Sequence, residues 1–165
     1  MRAHDLAEPY PYVTTDDDAI DAARLLAENS LPALLVLDSD GQPHAIVPGS
    51  QLLRQLIPSY AVDDPLLASS VDDGVGSEIA ERLEGLTVAE WVPRRLFPPP
   101  YVGPDATPME VAALMARTHS PLVAVIEREG EGRVRLLGTV TAARLIRYVL
   151  VRLGLQGGTH GGSQG

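Results

Sequence analysis

Residues 102–126, VGPDATPMEVAALMARTHSPLVAVI, can be laid on residues 13–37, VTTDDDAIDAARLLAENSLPALLVL, at a constant offset of 89. After a loop that is four residues longer in the second copy, the stretch VTAARLIR at 140–147 falls on VPGSQLLR at 47–54. Few positions are identical. Both copies nevertheless have, at equivalent positions, a proline, a helical pattern and a run of aliphatic residues. The chain therefore contains an internal repeat, and each copy is one structural unit.

Both copies predict the order strand, helix, strand, strand, helix. Residues 107–110, TPME, have the sequence of a capping box with proline at the first helical position. In the first copy, Asp18 and Asp21 are predicted to form the equivalent capping box. Apolar residues three and four apart then predict an amphipathic helix. The aliphatic runs at 34–37 and 122–126 predict buried strands. The expected fold class is therefore α/β, with a doubled β-α-β-β-α unit of pseudo-two-fold symmetry.

The repeats divide the chain into four segments. We expect repeat 1 at 1–57, a connection at 58–85 with a helix over 77–84, repeat 2 at 86–153, and a disordered Gly-rich tail at 154–165. The tail has nothing to bury, which is typical of disorder. The remaining predicted elements are leading helices at 1–7 and 86–92, short extended pieces at 12–14 and 101–103, turns at 38–41 and 129–132, second strands at 45–47 and 134–140, and closing helices at 50–57 and 142–153.

Composition excludes several classes of chemistry. The 165-residue chain has no cysteine, which excludes disulfides, thiolate metal sites and thiol nucleophiles. All 13 basic residues are arginines, so neither a Schiff-base lysine nor the lysine of a phosphate-binding loop is present. One Phe and one Trp argue against an aromatic platform for single-stranded nucleic acid.

The net charge of −9 is unevenly distributed along the chain. Residues 1–92 carry 17 acids and 4 arginines, whereas residues 93–165 carry 5 acids and 9 arginines. The acidic whole disfavours duplex DNA as a partner, because affinity for DNA comes mostly from neutralisation of phosphates by Lys and Arg. The basic second half could attract a small phosphorylated ligand, or its arginines could simply solvate helix and hairpin surfaces.

The hydropathy pattern does not indicate a membrane protein. No run approaches the roughly 18 to 20 consecutive apolar residues that a membrane span needs, and the first residues, MRAHD, do not have the pattern of a signal peptide. We therefore expect no membrane insertion and a cytoplasmic location.

Other candidate sites have simpler explanations. Asp16, Asp17 and Asp18 could form a metal site, but acidic residues just before a helix also interact favourably with the positive end of the helix dipole. His119 beside Ser120 suggests a base and a nucleophile, yet no Gly-x-Ser-x-Gly elbow surrounds this serine, and a cleft-lining or surface role is expected for His119. Trp91 is predicted to be a core anchor of the second leading helix. The remaining histidines, His4, His44 and His160, lack metal-ligand spacing. We predict no metal site and no enzymatic activity.

The doubled unit resembles a tandem cystathionine-β-synthase (CBS) domain pair, the Bateman module. Residues 102–107, VGPDAT, are similar to the family's first strand and helix cap, and 120–127, SPLVAVIE, to its central strand ending in an acid. Residues 138–145, GTVTAARL, are similar to its closing Gly-x-Val-Thr-x-x-Asp-Leu motif. The resemblance covers nearly the whole chain up to Leu153, and an unrelated repeated α/β protein is the alternative.

The resemblance implies adenosine ligands such as AMP, ADP or ATP, held in two clefts between the repeats, and no required cofactor. For the second cleft it implies Val102, Gly103, Pro121, Leu122, Thr141 and Arg144. For the first cleft it implies Thr14, Pro32, Leu34, Pro48 and Gln51.

The closing motif departs from the family pattern in both repeats. The family's Asp can accept hydrogen bonds from both ribose hydroxyls, and losing such a charge-assisted bond costs about 1.5–3 kcal/mol. Arg144 stands at the Asp position of repeat 2, where Thr141 is kept, and Pro48 and Gln51 replace both residues in repeat 1. Because arginine can pair with a phosphate bidentately, the second cleft is preferred over the first. In the alternative interpretation, Arg144 forms a salt bridge with a neighbouring helix and both clefts are empty or closed.

The predicted function is a stand-alone regulatory module that senses such a ligand and acts through an unidentified effector protein. The alternative is a ligand-free structural or dimerisation module of the same fold. The resemblance also implies a homodimer formed through exposed helices, and the charge split favours repeat 1 of one chain beside repeat 2 of its mate. The apolar helix residues available for such a contact are Ile20, Ala23, Ala27, Met109, Ala112 and Met115.

Overall fold

The structure is a computed structural model, and it describes residues 1–57, 59–69, 74–93 and 98–154. Its strands are β1 (Val13–Thr14), β2 (Ala33–Leu37), β3 (Pro43–Pro48), β4 (Tyr101–Val102), β5 (Leu122–Arg128) and β6 (Val134–Thr141). Its helices are α1 (Ala3–Leu6), α2 (Ala19–Glu28), α3 (Gly49–Leu56), α4 (Ser59–Asp63), α5 (Pro65–Ser69), α6 (Gly74–Glu84), α7 (Val88–Trp91), α8 (Pro108–Thr118) and α9 (Ala142–Arg152). The predicted mixed α/β class is confirmed. Beyond Gly154, the tail that was predicted to be disordered lies outside the described residues.

Two three-stranded sheets share one topology, β1-β2-β3 and β4-β5-β6. In each sheet the first strand is parallel to the second, and the second is antiparallel to the third. Val13 pairs with Val36 in the first sheet, and Val102 pairs with Val125 in the second, at the same offset of 89 that relates the sequences. The internal repeat is therefore a repeat of structure.

The hairpins of the two sheets also agree in detail. A shift of register falls between Val36 and Leu37 in one hairpin and between Val125 and Ile126 in the other, which are equivalent positions of the repeat. An extra unpaired residue of this kind is a β-bulge, which bends a strand and increases its twist. Both sheets thus have the same local distortion. The two central strands are almost completely buried, as the aliphatic runs predicted.

Each leading helix packs into the core of the opposite repeat. Ala3 and Leu6 of α1 are fully buried among core residues of repeat 2, including Val125. Val88 and Trp91 of α7 are buried in the core of repeat 1. Trp91 is the core anchor that was predicted, but it anchors its helix to the first repeat. The exchange is reciprocal, as a pseudo-two-fold relation between the repeats requires.

Backbone hydrogen bonds fix both exchanged helices. The Ala3 N–H donates to the carbonyl of Ala106 at 2.8 Å, and the Val88 N–H donates to the carbonyl of Asp17 at 2.8 Å. These bonds satisfy amide groups at helix starts, which have no partner inside their own helix. The exchange is therefore held by main-chain bonding as well as by burial of apolar side chains.

The capping box of α8 is confirmed. The Glu110 N–H donates to Thr107 Oγ1 at 3.2 Å, and the Thr107 N–H donates to Glu110 Oε2 at 3.0 Å. Pro108 stands at the start of the helix, where its fixed φ fits and no amide hydrogen is needed.

The prediction that Asp18 and Asp21 form the equivalent box on α2 is wrong. Asp18 stands at the N-cap position, but its side chain makes no capping hydrogen bond. The Ala19 N–H instead donates to the carbonyl of Leu86, at 2.9 Å. The segment that enters from repeat 2 thus takes over part of the capping, which no pattern local to α2 could show.

The connection between the repeats packs on repeat 1. The predicted helix at 77–84 is present and begins earlier, at Gly74, as α6. It contacts both α2 and α3, and Leu83 is buried in the core of repeat 1. The helical face of repeat 1 is therefore covered by the chain's own connection.

The two sheets contact each other directly. Ile46 of β3 packs against a cluster that contains Ala124 and Ile126 of β5. At the hairpin ends, the Gln42 side-chain amide donates to the carbonyl of Gly132 at 3.3 Å. The line of contact between the repeats is where the clefts were predicted.

Candidate functional site

A cavity of about 330 Å³ lies between the closing motif of repeat 1 and two segments of repeat 2. Its volume is within the range of small-molecule sites in proteins. The segments from repeat 2 precede its first strand and its central strand. The lining residues are Ile46, Val47, Pro48, Gln51, Pro98, Pro99, Pro100, Thr118, His119 and Ser120.

The junction of β3 and α3 positions the repeat 1 side of this cavity. Pro48 occupies the N-cap position of α3, and Gln51 follows within the first turn of the helix. The Gly49 N–H donates to the carbonyl of Pro32, at 3.4 Å. In repeat 2, the Ala142 N–H donates in the same way to the carbonyl of Pro121, at 3.1 Å. The two prolines therefore hold the closing helices against the central strands.

The end of α8 positions the repeat 2 side. His119 ends the helix in the left-handed conformation, at φ 53°, and its N–H donates to the carbonyl of Met115. Ser120 Oγ donates to the carbonyl of Leu122 at 2.6 Å, so this hydroxyl is already bonded within its own turn. The structure thus places His119 on a cleft, as expected, and gives no nucleophile and base pair with Ser120.

The cavity is nearly free of ionisable groups. Among its lining residues only His119 is titratable, and Gln51 supplies a neutral carboxamide. No carboxylate lines it to accept from a ribose. A ligand here would be held by apolar contacts with proline and aliphatic side chains, together with a few neutral hydrogen bonds.

The equivalent position on the other side of the pair is occupied by the protein itself. Glu8 and Thr139 exchange two backbone hydrogen bonds of 2.9 Å, which bring the start of the chain against β6. The Glu8 carboxylate lies 3.6 Å from Arg144 Nε and 4.0 Å from the Arg147 guanidinium. Arg144 therefore faces an internal anion, as in the alternative in which it forms a salt bridge.

Two further residues, Tyr10 and Thr141, stand at positions equivalent to residues that line the open cavity. Tyr10, at the position equivalent to Pro99, donates its hydroxyl proton to the carbonyl of Ala33 at 2.6 Å. The side chain is half-buried, and burial raises the pKa of Tyr10. Thr141 caps α9, because its Oγ1 accepts from the Arg144 N–H at 3.2 Å. The long side chains of Tyr10 and Arg144 thus stand where the first cleft has Pro99 and Gln51.

The structure places the sequence-predicted site residues unequally. Pro48 and Gln51 are brought together on the open cavity. Leu34 and Leu122 are completely buried, which leaves their side chains no contact with a ligand at the surface. The remaining predicted residues lie outside the lining of this cavity: Thr14, Pro32, Val102, Gly103, Pro121, Thr141 and Arg144.

The sequence did not predict that the proline run at 98–100 lines a cavity together with residues of repeat 1. Each cleft was composed from residues of a single repeat, whereas the cavity joins the closing motif of one repeat to segments that precede strands of the other. The run of three prolines was a usable signal, since proline presents an apolar surface and donates no backbone hydrogen bond.

No described helix has the length and apolar character needed to cross a membrane. Within the described part of the chain, no group of three or more His, Asp or Glu side chains is arranged to hold a metal ion.

Comparison with known proteins defines the class. The family model described as CBS domain matches residues 3–57 and 88–151. A crystal structure of a CBS domain-containing protein of unknown function from Kribbella flavida is 41% identical, with a TM-score of 0.78, and the match covers 91% of this chain and 99% of that one. The chain therefore belongs to the CBS domain family, as a tandem pair. Comparison with the curated proteins gives no match.

More distant structures share the fold. The CBS domain of a CBS domain-containing membrane protein from Sphaerobacter thermophilus is 22% identical, with a TM-score of 0.64 over 89% of this chain and 86% of that one. CBSX2, a CBS-pair protein from Arabidopsis thaliana, was crystallised in complex with AMP. That complex is 18% identical, with a TM-score of 0.61 over 92% of this chain and 98% of that one.

Proposed function

We propose that this CBS pair is a regulatory module that binds an adenosine nucleotide, or a related phosphorylated ligand, and signals through an effector protein. The site is the cavity lined by Pro48, Gln51, the prolines at 98–100 and His119. The observation that carries the proposal is the contrast between the two clefts. One is open with a ligand-sized volume, and the other contains the Glu8–Arg144 ion pair.

The proposal places the ligand in the cleft that the sequence disfavoured. Arg144 was preferred because a guanidinium can bind a phosphate, but its Nε already faces the Glu8 carboxylate. A phosphate would have to displace that carboxylate, and this lowers the net gain of binding. The open cavity requires no such exchange.

The lining of the cavity suits a purine nucleoside. Prolines and aliphatic side chains provide flat apolar contact, as small-molecule sites commonly do. The Gln51 carboxamide can both accept and donate a hydrogen bond, so it can replace part of the ribose contact of a carboxylate. Pro48 supplies no side-chain cap to α3, so the amides that follow Gly49 in the first turn are available to favour a phosphate. The AMP complex of CBSX2 supports this ligand class for a protein of the same fold.

The proposed output is regulatory, without catalysis by the chain itself. CBS pairs form a family of regulatory modules, and the cavity contains no nucleophile paired with a base, since Ser120 donates to a backbone carbonyl. A ligand between the repeats would change how they sit against each other, and a partner protein would bind one arrangement better than the other.

A ligand-free structural module is the second candidate. The observation that favours it is the Glu8–Arg144 ion pair in the second cleft, where the arginine already faces an anion of the chain itself. The two candidates differ in whether the open cavity binds anything.

A thermal-shift panel of AMP, ADP, ATP, NAD and S-adenosylmethionine separates the two candidates. A ligand present at 100 times its dissociation constant adds about 2.7 kcal/mol to the free energy of unfolding. For a chain of this size that corresponds to a rise in Tm of roughly 5–10 °C. Gln51→Leu should reduce the shift to about half, because tenfold weaker binding leaves about 1.4 kcal/mol of stabilisation at the same ligand concentration. Gln55→Leu, at an exposed position on the same helix outside the cavity lining, should retain the full shift. No shift with any compound favours the structural module.

A further inference from the structure

His119 ends α8 and lines the open cavity, and its backbone has the left-handed conformation, with φ 53°. Its equivalent in repeat 1, at the offset of 89, is Ser30, which has φ 49°. Both copies of the repeat therefore use this conformation where the helix ends. Because a serine adopts it equally well, the helix end does not require a histidine, and the imidazole is available for another role.

The imidazole of His119 is exposed, and it has no hydrogen-bond or ion-pair partner among the described residues. The two neighbouring hydroxyls are already bonded to backbone carbonyls. Thr118 Oγ1 donates to the carbonyl of Leu114 at 2.7 Å, and Ser120 Oγ donates to the carbonyl of Leu122 at 2.6 Å. A polar ligand group that meets the segment 118–120 would therefore find its unused side-chain donor in His119.

The repeat 1 side of the cavity also offers hydrogen-bond donors. Pro48 stands at the N-cap of α3 and supplies no side-chain cap, so amides of the first turn lack the acceptor that a serine or aspartate would provide. The Gln51 carboxamide belongs to the same turn and lines the cavity. First-turn amides, a carboxamide and an imidazole thus border one cavity, and all three can donate to an oxygen of the ligand.

The cavity contains nothing that would neutralise a protonated His119. The lining has no acidic side chain on β3, on α3, on the proline run at 98–100 or at the end of α8. Arg117, the nearest charged residue along α8, is not part of the lining. A ligand anion gains most in such surroundings, because charge-assisted hydrogen bonds are roughly twice as strong as neutral ones.

We infer that the protonated imidazole of His119 binds the phosphate of the nucleotide, together with the first-turn amides of α3, and so distinguishes a nucleotide from its nucleoside. The inference rests on the proposed function and adds a dependence on pH to it. Histidine side chains gain a proton as the pH falls through about 6.5. An anion stabilises the protonated form, so the affinity for AMP rises as the pH falls toward that value, whereas the affinity for adenosine does not change.

Titration calorimetry of the full chain with AMP and with adenosine, at about pH 6 and about pH 8, tests the inference. The phosphate of AMP also titrates near pH 6, so each wild-type affinity is divided by that of His119→Asn under the same conditions. For AMP this ratio should be about fivefold larger at the lower pH, because the charged bond contributes about tenfold and histidine is partly protonated there. For adenosine the ratio should stay near one at both pH values.

The variants are chosen to separate a contact from a change of structure. Asparagine adopts the left-handed conformation readily, so His119→Asn removes the cation and retains the end of α8. Arg117→Gln is the matched control, since it removes a positive charge from the same helix outside the cavity lining. It should retain the wild-type affinity for AMP and the wild-type dependence on pH. Circular dichroism melting checks that both variants are folded.

The outcomes distinguish this inference from the proposed function. AMP binding that is equally strong in the wild type and in His119→Asn at both pH values overturns the role of His119 and leaves the nucleotide site in place. The role is also overturned if His119→Asn weakens AMP and adenosine equally, or if Arg117→Gln loses the same pH dependence. Failure of the wild type to bind either compound overturns the proposed function and this inference together.

Discussion

The carboxylate of Glu8 and the guanidinium of Arg144 form an ion pair, with Oε1 3.6 Å from Nε. The pair joins the segment after α1 to the first turn of α9, and thus connects the start of repeat 1 to the closing motif of repeat 2. The arginine that replaces the family's Asp therefore has a partner within the chain. This relationship makes the two clefts unequal and leads to the first prediction.

We expect one nucleotide per chain. Titration calorimetry with AMP should give a stoichiometry of one, because the second cleft contains the Glu8–Arg144 pair and the Tyr10 side chain. Arg144→Gln should leave the affinity unchanged, while Gln51→Leu should weaken it by about tenfold, the effect of one lost neutral hydrogen bond. Two nucleotides per chain, or a loss of binding in Arg144→Gln alone, would show that the second cleft is in use.

Gly138→Ala should be strongly destabilising. A Cβ at this position would lie 2.6 Å from the carbonyl oxygen of Glu8, and the backbone has φ +151°. Both effects act against alanine, so we expect a loss of about 2–5 kcal/mol in the free energy of unfolding. Gly103→Ala is the control, since a Cβ there meets nothing within 4 Å. Urea unfolding measures both, and similar values for the two variants would contradict the close approach of Glu8 to β6.

Thr107→Ala should cost more than Asp18→Ala. Thr107 accepts from the Glu110 N–H, whereas the Asp18 side chain makes no capping hydrogen bond. Removing a capping side chain costs about 1 kcal/mol, and we expect less than about 0.5 kcal/mol at Asp18. Thermal unfolding of both variants provides the comparison. Equal losses in the free energy of unfolding would mean that Asp18 caps α2, as the sequence pattern predicts.

Tyr10→Phe should destabilise the protein at neutral pH and remove part of its sensitivity to alkali. Loss of the hydrogen bond to the Ala33 carbonyl costs about 1 kcal/mol. Burial raises the pKa of Tyr10, so above the ordinary value of about 10 the unfolded chain releases this proton before the folded chain does. Wild-type stability should therefore fall as pH rises above that value, and the variant should fall less.

The control for this pH series is Tyr12→Phe, at an exposed tyrosine two residues further along. Its free energy of unfolding at neutral pH should equal that of the wild type. An alkaline profile of Tyr10→Phe identical to that of the wild type would contradict the burial of the hydroxyl.

Much of the fold could be predicted from the repeat alone. The offset of 89 reproduces the strand pairing, and even the register shifts after Val36 and Val125 are equivalent. Hairpin pairing and helix capping could be predicted because both depend on residues that are close together in the sequence. The capping box at Thr107 was found for the same reason.

The exchange of leading helices and the composition of the site could not be predicted in this way. The apolar pair Ala3 and Leu6 shows that a helix buries one face, but not which repeat supplies the partner. Likewise, nothing near Arg144 in the sequence indicates that Glu8 is its partner. Contacts across the pseudo-two-fold axis depend on how the two repeats are arranged in space. The periodicity of apolar residues along the chain does not indicate that arrangement.

The exchange of α1 and α7 makes each half of the chain structurally incomplete. Trp91 fills the interior of the half to which it does not belong, and Leu6 does the same in return. Neither half can therefore melt alone, and we expect a single calorimetric transition whose van't Hoff and calorimetric enthalpies agree. Because the closing contacts join residues far apart along the chain, folding should be slow for a protein of this size. A change in angle between the halves would also move both exchanged helices, so we expect ligand binding in the open cavity to displace a helix in each half.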